Sequence, residues 1–179
     1  MLKILETRGL SPLSIPNLKA QQLIIALSLI NQLDLLNQLF DQVIIPLAVY
    51  QEIVITGDDK PGAKELKNAN WIQVQEVASS SPLEPLLLGL DRGELEVILL
   101  AISIKPDWVI IDEKLARKVA KTIGLPVKGT LGIILVSFHA GYLSKQEILD
   151  LSQQLVNQGI RISYPIINWL KTELENPPI

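Results

Sequence analysis

A chain of 179 residues suffices for one domain with a sizeable core, and 48% hydrophobic against 4% aromatic residues mean that Leu, Ile and Val build it. A formal net charge of -3 excludes a global positive field for nucleic acid, so any RNA contact must rest on a local patch. The lack of Cys excludes disulfides and thiolate metal sites, as expected of a cytoplasmic protein. In chain order, Met1–Glu6 has too short an apolar run for a secretory leader. Pro16 suits the first turn of a helix. The Leu- and Ile-rich stretch Gln21–Phe40 then predicts one or two helices that turn near Asn31. Val43–Ile45 is a short apolar strand closed by Pro46, and a helix follows through Ala48, Glu52 and Ile53. The loop Gly57–Gly62 leads to a helix over Ala63–Ala69 and a strand over Trp71–Val77. Ser79-Ser80-Ser81-Pro82 is too short to divide domains, so residues 1–179 are expected to form one. Asp91–Ile104 reads as a helix, Trp108–Ile111 as a buried strand, Asp112–Thr122 as a helix and Gly124–Val127 as a short strand. Helices over Thr130–Ala140, Ser144–Asn157 and Tyr164–Glu175 complete the chain. The apolar stretches Leu23–Ile30 and Leu131–Phe138 are far below a membrane span.

Strands alternating with helices imply an α/β fold with a short parallel sheet covered on both faces. Ligands of such sheets sit beyond the carboxyl ends of the strands, which directs attention to three groups of acids. Asp112 and Glu113 follow the strand Trp108–Ile111 and read either as a helix N-cap or as metal ligands. Asp91-Arg92-Gly93-Glu94 has capping-box spacing, with Glu96 on another side of the same helix. Glu52 sits on the helix after Val43–Ile45, where a lone Glu is ordinarily solvated surface. Together they become interesting, because magnesium and manganese take carboxylate oxygens and need neither Cys nor His. The single His139 lies in an apolar helix and reads as packed rather than catalytic. There is no Walker-type phosphate loop and no G-x-S-x-G elbow.

The segments Val43–Glu52, Leu90–Ile98, Ile110–Arg117 and Lys128–Gly132, with Gln32–Leu36 before them, resemble in order the segments of a VapC-like branch of the PIN-domain family. The resemblance runs from about Leu23 to about Leu170. It implies a PIN-like three-layer α/β/α sandwich with extra C-terminal helices, binding Mg2+ or Mn2+ and cleaving single-stranded RNA. Carried over by position, Glu52, Glu94 and Asp112 are the expected catalytic and metal-binding carboxylates. Glu113 shares or replaces the role of Asp112, and Glu96 matches a second acid of its segment. Arg92, Arg117 and Lys118 are the basic residues nearest these motifs, placed to contact RNA phosphates. The family further implies a toxin paired with a small antitoxin, and a homodimer through N-terminal helices. The departure from the family is N-terminal, in residues 1–22. Where the family closes its first strand with Asp or Asn and an (S/T)SPL turn, counting back without gaps gives Ala20. The alternative takes Leu2–Leu5 as strand one, Glu6 as its acid and Ser11-Pro12-Leu13 as the turn remnant. A second reading therefore stands beside the ribonuclease: a PIN-like protein that binds RNA or a protein partner without cutting.

Overall fold

The computed structural model describes residues 22–57, 60–77, 89–160 and 162–175. The expectations for Pro16, for Leu2–Leu5 with Glu6, for Ala20 and for Ser79–Pro82 lie outside them. The described chain opens with α1, Gln22–Leu29, which buries Leu23, Ile24, Ala26, Leu27 and Ser28. It packs on a later helix rather than presenting a single stripe. Asn31 then adopts φ 53, a left-handed conformation that Asn tolerates better than most residues. The chain turns there, as expected from the sequence, into α2, Leu35–Leu39.

β1 is Val43–Pro46, and α3, Leu47–Tyr50, follows without a loop. Its last turn widens into a π-helical turn, Gln51–Ile55, which carries Glu52. Such turns are rare and recur at functional sites. Gly57 ends this segment, where a Cβ would lie 2.6 Å from the Ile53 carbonyl oxygen, so only Gly fits. After α4, Ala63–Asn68, the strand β2, Ile72–Gln75, pairs parallel with β1 from Val43↔Ile72 to Pro46↔Gln75.

The second half begins with α5, Arg92–Ile104, which ends at Lys105 in a left-handed conformation of φ 48. β3, Val109–Ile110, and β4, Val127–Lys128, pair parallel, with α6, Lys114–Thr122, between them. The short ladder extends to a bond of 3.0 Å from the Ile111 amide to the Lys128 carbonyl. α7, Thr130–His139, is buried along most of its length and touches α1, α8 (Lys145–Asn157) and α9 (Tyr164–Glu175).

The α/β class with short parallel strands is as expected from the sequence. Among the described residues the strands form two parallel pairs, β1–β2 and β3–β4, with no ladder joining them. On β2, Gln73, Val74 and Gln75 are exposed and Ile72 is buried. The core is correspondingly divided. One apolar cluster joins α1, β1, α7, α8 and α9, and a smaller one joins α5, β3 and α6. An apolar cleft of about 500 Å³ opens between β1 and β3.

Candidate active site

Asp112 leaves the carboxyl end of β3 and turns inward, 2% exposed. Its Oδ1 accepts from the Thr130 amide at 2.9 Å, and its Oδ2 accepts from the Thr130 hydroxyl. Thr130 is the first residue of α7, directly beyond the end of β4, so pairing of β3 with β4 brings donor and acceptor together. Arg117, 8% exposed on α6, donates from Nη1 to the Ile111 carbonyl at 2.6 Å. Its charge also acts on Asp112. Burial pushes the Asp112 carboxyl above its ordinary range, against the pull of the two Thr130 hydrogen bonds and of Arg117. Burial likewise lowers Arg117, with Asp112 opposing.

The cap of α6 is Glu113 and not Asp112, since a Glu113 carboxylate oxygen accepts from the Ala116 amide at 2.6 Å. The helix therefore starts at Lys114, later than its sequence suggests. Asp112 is left free of capping because Thr130 already takes both of its oxygens. Thr130 lies in the segment Lys128–Gly132, which the sequence reading quoted without giving Thr130 a role.

The second group of acids surrounds the N-terminus of α5. Asp91 and Glu94 form the expected capping box. The Glu94 amide donates to Asp91 Oδ1 at 2.9 Å, and the Asp91 amide donates to Glu94 Oε2 at 3.1 Å. Glu94 is 5% exposed. Glu96 accepts from the Ala48 amide at 3.1 Å and from Arg92 Nε at 2.9 Å, so it ties α5 to the start of α3. Glu52 reaches this helix end from the π-helical turn. A Cβ added to Gly93 would lie 3.4 Å from Glu52 Oε2 and 3.5 Å from Asp91 Oδ1. Both are ordinary contact distances, so the Glu52 and Asp91 carboxylates lie beside Gly93 near the positive end of the helix dipole.

Glu52, Asp91 and Glu94 are brought together, whereas Asp112 is held by partners of its own, Thr130 and Arg117. The donor chemistry, carboxylate oxygen with no thiolate, suits a hard divalent cation. Among the described residues, however, no group of three or more His, Asp or Glu side chains is arranged to hold a metal ion. Of the basic residues, Arg92 is 73% exposed in its side chain but paired to Glu96, and Lys118 is exposed. Arg117 faces inward and has no open side for a phosphate. Lys128 is half-buried, with its ammonium 4.1 Å from the centre of the Trp108 ring, and burial lowers its pKa. His139 is partly buried in α7, and its Nε2 has no partner among the described residues.

A family model described as a PIN domain matches residues 21–176. The match starts one residue after Ala20 and leaves Glu6 outside. No curated protein and no solved structure is matched. No helix among the described residues is long and apolar enough to cross a membrane.

Proposed function

Because this chain belongs to the PIN-domain family, whose members are generally metal-dependent nucleases, we propose that it is a slow ribonuclease acting on single-stranded RNA. Residues Glu52, Glu94 and Asp112 would hold Mg2+ or Mn2+, with Glu113 beside them and Glu6 as the first carboxylate. The bound cation would activate a water and steady the leaving oxygen of the phosphodiester. The chain's own contribution is positioning. Thr130 fixes Asp112 in one orientation, the π-helical turn brings Glu52 beside Gly93 at the start of α5, and exposed Arg92 and Lys118 offer charge to the RNA backbone. The observation that carries the reading is the convergence of Glu52, Asp91 and Glu94 on one helix terminus, in a chain matched to the family along most of its length.

Slowness is inferred from the departure in residues 1–22, where the gap-free counterpart of the family's first acid is Ala20. By its resemblance to VapC-like proteins, the chain is further proposed as the toxin of a toxin–antitoxin pair and as a homodimer.

The test is cleavage of a labelled single-stranded RNA in manganese by the natural chain, Asp112→Asn, Glu6→Gln and Ala20→Asp. Slow cleavage that disappears in Asp112→Asn and in Glu6→Gln is expected. Cleavage that Glu6→Gln leaves untouched removes Glu6 from the site, and a gain in Ala20→Asp assigns the first acid to that position instead. RNA binding with no cleavage by any of the four proteins replaces the ribonuclease with the non-cutting reading.

A further inference from the structure

The helix that carries Glu52 starts without a cap of its own. β1 runs into α3 through Pro46, whose side chain offers no acceptor to the first amides of the helix. The acceptor comes instead from forty-eight positions further along the chain. Glu96 Oε2 accepts from the Ala48 amide at 3.1 Å, and Glu96 Oε1 accepts from Arg92 Nε at 2.9 Å. Arg92 stands one turn earlier on α5 and steadies the rotamer that reaches across to α3. The Glu96 side chain is only 13% exposed, so little water competes for these bonds. Glu52 lies four residues beyond Ala48, about 6 Å along the helix at about 1.5 Å per residue.

We propose that Glu96 is a positioning residue for Glu52: by anchoring the start of α3 to α5, it sets where the Glu52 carboxylate stands beside Gly93 and Asp91. The anchor sits on the helix whose first turn carries Glu94 and whose cap is Asp91, so one element fixes the spacing of all three acids. Apolar contact alone would not do this. Val49 Cγ2 lies 3.5 Å from the place of a Cβ on Gly93, which brings α3 against α5, but such contact has no direction. A hydrogen bond to a carboxylate does. The need for an anchor follows from the π-helical turn. There the Thr56 amide reaches back five residues to the Gln51 carbonyl at 3.0 Å, a ring wider than that of an α-helix. The place of Glu52 in such a turn depends on what holds its two ends. Gly57 closes the far end, and Glu96 holds the near one. With both oxygens on protein donors, Glu96 in this role needs no contact with metal or RNA. Its catalytic meaning rests on the proposed ribonuclease; the positioning itself is independent of cleavage.

The test compares the natural chain, Glu52→Gln, Glu96→Ala and the double variant, all full-length, by the amide resonance of Gly93. Glu52→Gln removes a charge beside Gly93 and should move that resonance in the natural background. In the Glu96→Ala background the same substitution should move it by less than half as much. An equal shift in both backgrounds overturns the proposal, and so does a Gly93 resonance that Glu52→Gln leaves unmoved in the natural one. Glu96→Gln keeps an acceptor at full length and should restore the response. Should Glu96→Ala fail to fold, Glu96→Asp, one methylene too short for the Ala48 amide, takes its place, and equal responses in Glu96→Asp and Glu96→Gln overturn the proposal. Manganese titration of the same proteins reads the consequence. The Kd should rise about tenfold in Glu96→Ala, with no further rise when that change is added to Glu52→Gln. A rise of the same factor in both backgrounds means that Glu96 does not act through Glu52, and overturns the proposal. A natural chain that binds no manganese removes the ribonuclease reading instead, and the Gly93 comparison alone then decides the positioning.

Discussion

Asp112 and Glu94 are both buried carboxylates, 2% and 5% exposed, but their partners come from opposite distances along the chain. Glu94 bonds within its own helical turn, to a residue three positions away. Asp112 bonds to Thr130, eighteen positions on, and sits beside Arg117. The first arrangement forms whenever α5 forms. The second exists only when β3 has paired with β4 and α6 has packed over them. A local cap costs little when lost, while a buried carboxyl whose hydrogen-bond donors come from a distant segment is costly to remove, because those donors are left without an acceptor.

The largest effect expected is therefore for Asp112→Ala, which removes the acceptor of both Thr130 hydrogen bonds and a charge that acts on the buried Arg117 guanidinium. It should destabilise the protein by about 2–4 kcal/mol in urea unfolding. Asp112→Asn, which keeps shape and an acceptor for the Thr130 amide, should cost less than half as much. Equal losses would mean that Arg117 does not depend on the charge of Asp112.

Arg117→Met removes the other partner and should cost about 2–3 kcal/mol near neutral pH, because Asp112 escapes part of the penalty by taking up a proton. The sign of the pH dependence is fixed by burial. The folded Asp112 carboxyl already lies above its ordinary 3.8, and loss of Arg117 raises it further. A group with a raised folded value binds protons more tightly in the folded state. Its favourable contribution is thus complete below the unfolded value and is lost as pH rises through the folded one. The destabilisation by Arg117→Met should grow as pH rises above the ordinary carboxylate range, and a flat profile would separate Asp112 from Arg117.

Thr130→Val retains the amide bond to Asp112 but removes the hydroxyl bond, with an expected loss of about 1–2 kcal/mol. The Asp112 side chain would gain freedom, so an increase in manganese-supported RNA cleavage in this variant would sharpen the view that Thr130 restrains the site. The smallest effect belongs to the local cap. Asp91→Ala should cost about 1 kcal/mol of thermal stability and leave the pH profile of the Asp112 region unchanged.

Much of the element order was legible in the sequence because its signals are local. Asp91 and Glu94 announce a capping box by spacing alone, Asn31 marks the turn between α1 and α2, and Ser144 with Glu147 forms a second capping box at the start of α8. The helices over residues 130–139, 145–157 and 164–175 lie within a residue or two of their expected ends. The start of α6, expected at Asp112, lies two residues later at Lys114, with Glu113 as its cap, for a non-local reason. Asp112 and Glu113 are adjacent candidates, and only the position of Thr130 decides which of them faces the helix.

The sequence by itself determined the α/β class, the alternation of helices with short strands and the set of acids worth testing. Those follow from periodicity, capping spacing and the ordered segments that resemble PIN domains. Only the tertiary structure decided that the described strands form two pairs with a cleft between them, that β2 leaves Gln73, Val74 and Gln75 exposed, and that Arg117 turns inward to the Ile111 carbonyl. It also decided that Glu52 lies beside Gly93 at the start of α5. Strand partners and buried charge pairs are chosen by contacts between residues far apart in the chain, and a pattern of neighbours along the sequence carries no record of them.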